Sequence, residues 1–106
     1  FDRRVAAHPD CIPDEAHMIL GDITETLATA QDRIGAKAAF AHCDIGTGEK
    51  ESNARLIATI APMVDALMTP GGIVCRDQEY TVTRWQALPL PDGVRPGRYF
   101  VNRVNG

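Results

Sequence analysis

Ala38-Ala39-Phe40-Ala41-His42-Cys43-Asp44-Ile45-Gly46 is a short apolar run closed by an acidic residue and a glycine. It lacks the alternation of a sheet with one wet face, so it reads as a strand covered on both sides. Two similar runs flank it. Residues 17–20 (His17, Met18, Ile19, Leu20) end at Gly21-Asp22, and residues 73–75 end at Arg76-Asp77. Between the runs the period changes. Ile23, Leu27, Ala30 and Ile34 step by three or four and predict a helix over residues 23–34. Asp22 is placed to cap it, Glu25 three residues later completes a capping box, and Gly35 ends it. A longer helix is expected over residues 50–68, with Ile57, Ile60, Ala61, Val64, Leu67 and Met68 as its buried stripe. Pro62 lies within that helix and predicts a kink or a weakened turn. Thr69-Pro70-Gly71-Gly72 stops it. Strands alternating with helices predict an α/β fold with a mostly parallel sheet in three layers. The tail differs. Pro89, Pro91, Asp92, Gly93, Pro96 and Gly97 indicate turns, and residues 98–104 alternate well enough for a final antiparallel strand.

The chain has 106 residues, enough for one small domain over 1–106. Hydrophobic residues make up 44% and charged residues 24%, which argues against disorder and coiled coil. Eleven basic residues against fourteen acidic ones give a net charge of −3. Without a basic stripe, neither a nucleic acid nor an anionic membrane is an expected partner. No apolar run approaches the roughly 18 residues of a membrane span. Cys11, Cys43 and Cys75 form no C-x-x-C pair, so they read as reduced thiols of a cytoplasmic protein.

In an open parallel α/β sheet, ligands bind beyond the carboxyl ends of the strands. Here each such end carries a carboxylate: Asp2, Asp22, Asp44 and Asp77. Carboxylates in that position can accept hydrogen bonds from ribose hydroxyls or from an amine. Each also has a plainer reading. Asp22 can be only a helix cap, Asp44 a loop residue beside Gly46 and Gly48, and Asp77 a solvated strand end.

Phe1-Asp2-Arg3, Leu20-Gly21-Asp22-Ile23, Ala41-His42-Cys43-Asp44-Ile45-Gly46 and Leu67-Met68-Thr69-Pro70-Gly71-Gly72-Ile73-Val74 follow one another in an order that resembles class I S-adenosylmethionine-dependent methyltransferases. The resemblance covers residues 1 to 77 and implies a Rossmann-like sheet, S-adenosyl-L-methionine as cofactor and a small-molecule acceptor. By position it implies that Asp2 binds the ribose hydroxyls and that Asp22 lies by the adenine amino group, with Ile23 beside the ring. Asp44 would lie near the methionine moiety or the substrate. His42 is the candidate general base, because imidazole exchanges protons near neutral pH.

The family's Gly-rich loop after its first strand is absent from these residues, and Gly46-x-Gly48 follows a different strand. The chain also opens at Phe1 rather than Met, and Phe1-Asp2-Arg3 reads like a strand terminus. The expectation is therefore a fragment, incomplete at the N-terminus, that binds the cofactor poorly alone. Pairing with another copy as a homodimer is the second way to cover the gap. Two other readings stand beside methyl transfer: another nucleotide-binding Rossmann-type enzyme, and a non-catalytic α/β dimerisation module. Strand alternation sends His42 and Cys43 to opposite faces, so no metal site is expected. Tyr80, Trp85, Tyr99 and Phe100 read as a packing cluster or a lid, and Arg95, Arg98 and Arg103 as a solvated edge or contacts for an acidic substrate.

Overall fold

The computed structural model describes residues 1–106. Two helices and four strands follow one another as α1 (Ile23–Ile34), β1 (Ala38–Cys43), α2 (Lys50–Leu67), β2 (Met68–Arg76), β3 (Trp85–Ala87) and β4 (Phe100–Val104). The sheet order is β1-β2-β4-β3.

Local chemistry sets the boundaries of α1. Asp22 has extended backbone, and its carboxylate accepts the Thr24 N–H at 2.9 Å, satisfying one of the free donors of the first turn. The expected capping box does not form: the Asp22 carboxylate accepts from Thr24 rather than from the Glu25 N–H, and the Glu25 side chain does not reach back to the Asp22 N–H. At the other end Gly35 takes φ 67° and donates its N–H to the Gln31 carbonyl. Helix α2 runs unbroken through Pro62, whose ring lies on the exposed side. Its far end is held from outside. The Arg84 guanidinium donates through Nη2 to the Asp65 carbonyl at 2.8 Å and through Nε to the Asp65 carboxylate at 2.7 Å.

Only β1 and β2 pair in parallel; β2–β4 and β3–β4 are antiparallel. The expectation of a mostly parallel sheet is therefore corrected to a mixed one. The apolar runs 38–43 and 73–75 fit a buried strand whichever way its neighbour points. Residues 69–72 also differ from expectation. They continue β2 instead of only stopping α2, and the extra chain is taken up by a register shift opposite Ala38 and Phe40. Gly71, at φ 84°, allows that irregularity.

The helices cover one face. Leu27 and Ala30 of α1 and Ile57, Ile60, Ala61, Val64 and Leu67 of α2 form one buried cluster with Met68, Val74, Tyr80, Trp85 and Val104. Ile60, Met68, Val74 and Val104 are sealed from solvent. Each such side chain contributes about 1.5–3 kcal/mol by burial. On the opposite face Phe40 is 63% exposed and His42 and Arg103 are exposed. The arrangement is two layers where three were expected.

The run at 17–20 shrinks to a single parallel bridge between Asp2 and Leu20, supported by Asp2 N–H to Ile19 carbonyl at 3.1 Å and Gly21 N–H to Asp2 carbonyl at 2.9 Å. This pair makes no backbone hydrogen bond to β1. A space of about 460 Å³ lies between them, lined by Phe1, Ile34, Phe40, Ala41, Val64 and other mainly apolar side chains. No helix is long and apolar enough to cross a membrane.

Candidate functional site

Two of the acidic tips, Asp2 and Asp44, meet at one cleft. The bridge positions Asp2, the turn after Leu20 positions Gly21 and Ile23, and the end of β1 positions Asp44 and Ile45. Together with Phe1, Arg3, Thr47 and Leu56 they line a cleft of about 340 Å³. Asp2, Ile23 and Asp44, three of the expected binding residues, thus meet at one surface. Asp2 and Asp44 are exposed, while Ile23 and Ile45 are half-buried and give the cleft its apolar wall. One Asp2 oxygen accepts the neighbouring Arg3 N–H at 2.7 Å, which leaves acceptor capacity facing solvent.

Asp22 is placed otherwise. Its carboxylate takes both the N–H and the hydroxyl of Thr24, and it does not line the cleft. Those bonds, the Thr24 hydroxyl's first, hold its pKa below the ordinary carboxylate range. The loop after Asp44 is fixed by a residue the sequence pattern did not single out. Buried Asn53, in the first turn of α2, accepts the Thr47 N–H at 3.0 Å and hydroxyl at 2.8 Å. It also donates its amide to the Thr47 carbonyl at 2.8 Å. An Asn early in a helix after a Gly-rich loop is a usable signal, though a weak one.

The end of β2 lies next to this loop. Asp77 N–H donates to the Cys43 carbonyl at 3.2 Å, extending the parallel ladder, and Asp77 Oδ2 accepts the Gly46 N–H at 3.0 Å. Asp77 is half-buried, not the solvated strand end of the plainer reading. On the uncovered face His42 stands opposite Cys75, and its ring centre is 6.0 Å from that of Tyr99. Desolvation first, then nearby Cys75 and Asp44, raises the Tyr99 phenol above its ordinary value. His42 does not line the acidic cleft.

On the helix-covered face Cys43 stands opposite Arg76, and Arg76 opposite Phe100. Burial pushes the Cys43 thiol and the Tyr80 phenol upward, so both are neutral at physiological pH. A buried neutral thiol is a poor nucleophile. Beyond Asp77 a second cleft, of about 480 Å³, is lined by Asp77, Gln78, Glu79, Gly97, Arg98 and Phe100. No group of three or more His, Cys, Asp or Glu side chains is arranged to hold a metal ion.

Cleft and strand order can be set beside known proteins. The crystal structure of an S-adenosyl-L-methionine methyl transferase from Silicibacter pomeroyi DSS-3 superposes with a TM-score of 0.88 at 39% identity, over 96% of this chain and 63% of that one. The chain thus spans less than two thirds of the length of that relative. No curated protein matches the sequence. The family described as S-adenosyl-L-methionine methyltransferase matches residues 1–104. This chain belongs to the S-adenosyl-L-methionine methyltransferase family.

Proposed function

We propose that the protein transfers a methyl group from S-adenosyl-L-methionine to a small-molecule acceptor, with the nucleoside side of the cofactor in the cleft between Asp2 and Asp44. The observation that carries this is the convergence of Asp2, Ile23, Asp44 and Ile45 on one surface. The donor set suits a nucleoside. Exposed carboxylates accept from hydroxyl or amino groups, and the two isoleucines offer an apolar wall to a ring. Family membership favours this reading over another nucleotide-binding enzyme or a non-catalytic module.

When bound, the cofactor supplies a methyl carbon made electrophilic by its sulfonium. The protein's share is alignment and exclusion of water. Asn53 holds the Thr47 turn at the cleft wall, and Gly46 and Asp77 tie that turn to the tip of β2. His42, beside Tyr99, is the imidazole assigned to an acceptor that arrives protonated. Equilibrium dialysis of the full-length protein with labelled S-adenosyl-L-methionine tests the reading. Saturable micromolar binding, displaced by S-adenosyl-L-homocysteine, is expected. Absence of binding at millimolar cofactor overturns it.

A further inference from the structure

Arg76 ends β2 with only 2% of its surface exposed. Its guanidinium carbon lies 5.3 Å from the ring centres of Tyr80 and Trp85 and 5.6 Å from that of Phe100. Three rings attract the cation through their faces but offer it no hydrogen-bond acceptor in the plane of the guanidinium. Nε and Nη1 are buried without a protein partner, and Arg76 forms no ion pair. Charged side chains are almost never buried this far unpaired. Desolvation lowers the Arg76 pKa, as expected for a cation without a counter-charge.

The next residue holds the complementary defect. Asp77 Oδ2 takes the Gly46 N–H, but Oδ1 is buried with no donor. Consecutive residues at one strand tip thus carry buried donors without an acceptor and a buried acceptor without a donor. They do not pair with each other. Asp77 lines the 480 Å³ cleft directly with Glu79 and Arg98. Arg76 is not in its wall and reaches it only through Phe100, one ring of the Arg76 cage and one wall of the cleft.

We propose that this cleft binds the methyl acceptor, and that the acceptor is zwitterionic, an amino acid or a similar molecule bearing both an amine and a carboxylate. The ligand's carboxylate meets the planar fork of Arg76 once the Phe100 ring turns aside, with Arg98 at the mouth. Its ammonium meets Asp77 Oδ1, with Glu79 beside it. A simple anion would leave Asp77 without a donor and would face two carboxylates. A simple amine would leave Arg76 unpaired. Only the ligand's role as acceptor rests on the methyl-transfer reading; its binding does not.

Calorimetry on the full-length protein, without cofactor, against the standard α-amino acids tests this. At least one is expected to bind, and its des-amino and decarboxylated analogues should each bind at least about tenfold more weakly. Arg76→Gln should lose most of the binding, and Arg76→Lys should lie between, because lysine keeps the charge but not the fork. If the Arg76 variants do not fold, the two analogues on the unaltered protein still decide. No amino-acid binding at about 10 mM overturns the proposal. So does equal binding of either single-charge analogue. Parallel titration with S-adenosyl-L-methionine separates the two readings. Cofactor binding without amino-acid binding sinks this inference alone, and the reverse result sinks the methyl-transfer reading alone.

Discussion

Gly46 donates its backbone N–H to Asp77 Oδ2 at 3.0 Å, and a Cβ built on Gly46 would collide with that same oxygen. The new methyl would also stand 2.5 Å from the Gln78 amide nitrogen. Close approach, not an unusual φ, disfavours a side chain here, and both crowding atoms are side-chain ends. Gly46→Ala should therefore destabilise the fold by about 1 kcal/mol, the low end for overpacking, as the Asp77 carboxylate gives way. Asp77→Ala removes the colliding oxygen. In a double-mutant cycle followed by urea unfolding, the pair should cost less than the sum of the single changes. Simple additivity would mean that the contact does not hold the two strand tips together.

Asp2 and Asp44 line one cleft, whereas Asp22 is engaged in its own helix. Asp2→Asn and Asp44→Asn should each weaken S-adenosyl-L-methionine binding by about tenfold, the scale of one charge-assisted hydrogen bond. Melting temperatures should stay unchanged, because neither carboxylate supports the core. Asp22→Asn should leave cofactor affinity unchanged. Calorimetry on the three variants checks the contrast. A large affinity loss at Asp22 with none at Asp2 would reverse the assignment of the cleft.

The Asp22 cap also fixes a pH dependence. Bonds from Thr24 favour the ionised form in the folded chain and lower its pKa. The stabilisation is therefore fully present above the unfolded aspartate value of about 3.9 and is lost as pH falls through the lower folded value. Asp22→Ala should melt below the parent chain at pH 7. The gap in melting temperature should hold at pH 5 and shrink as pH falls below the unfolded aspartate value. A gap that grows on acidification would contradict the cap.

Helices α1 and α2 and strands β1 and β4 were readable because each is declared locally. Asp22 and Gly35 bracket α1, and the stripe from Ile57 to Met68 marks α2. Strand β3 was not readable. It has three residues, two of them exposed, and its only strand partner is β4. The direction of pairing was also hidden, since a run such as Ala38–Cys43 has the same composition beside a parallel or an antiparallel neighbour. At the site, strand-end carboxylates followed from the α/β pattern alone, and the division of labour between Asp22 and its neighbours did not. Arg76 was missed because an arginine is read as surface by default. Its enclosure is assembled from residues 80, 85 and 100, which no local window joins.

Asp65 joins the end of α2 to the start of β3. One carboxylate oxygen accepts both Arg84 Nε and Trp85 Nε1, each at 2.7 Å, and the same guanidinium reaches the Asp65 carbonyl. The cluster is largely shielded, with the Asp65 side chain 23% exposed and Arg84 32% exposed. Asp65→Ala strands an indole N–H against the core and leaves the arginine half-paired, so a loss of about 2–3 kcal/mol is expected. Asp65→Asn keeps an oxygen that can accept one of the two bonds and should cost about half as much. Trp85→Phe, which fills much of the same space without the N–H, should make a following Asp65→Ala cheaper than in the parent chain. Chemical denaturation of the four proteins measures this coupling. An Asp65→Ala cost that Trp85→Phe leaves unchanged would show that the arginine alone holds the helix end.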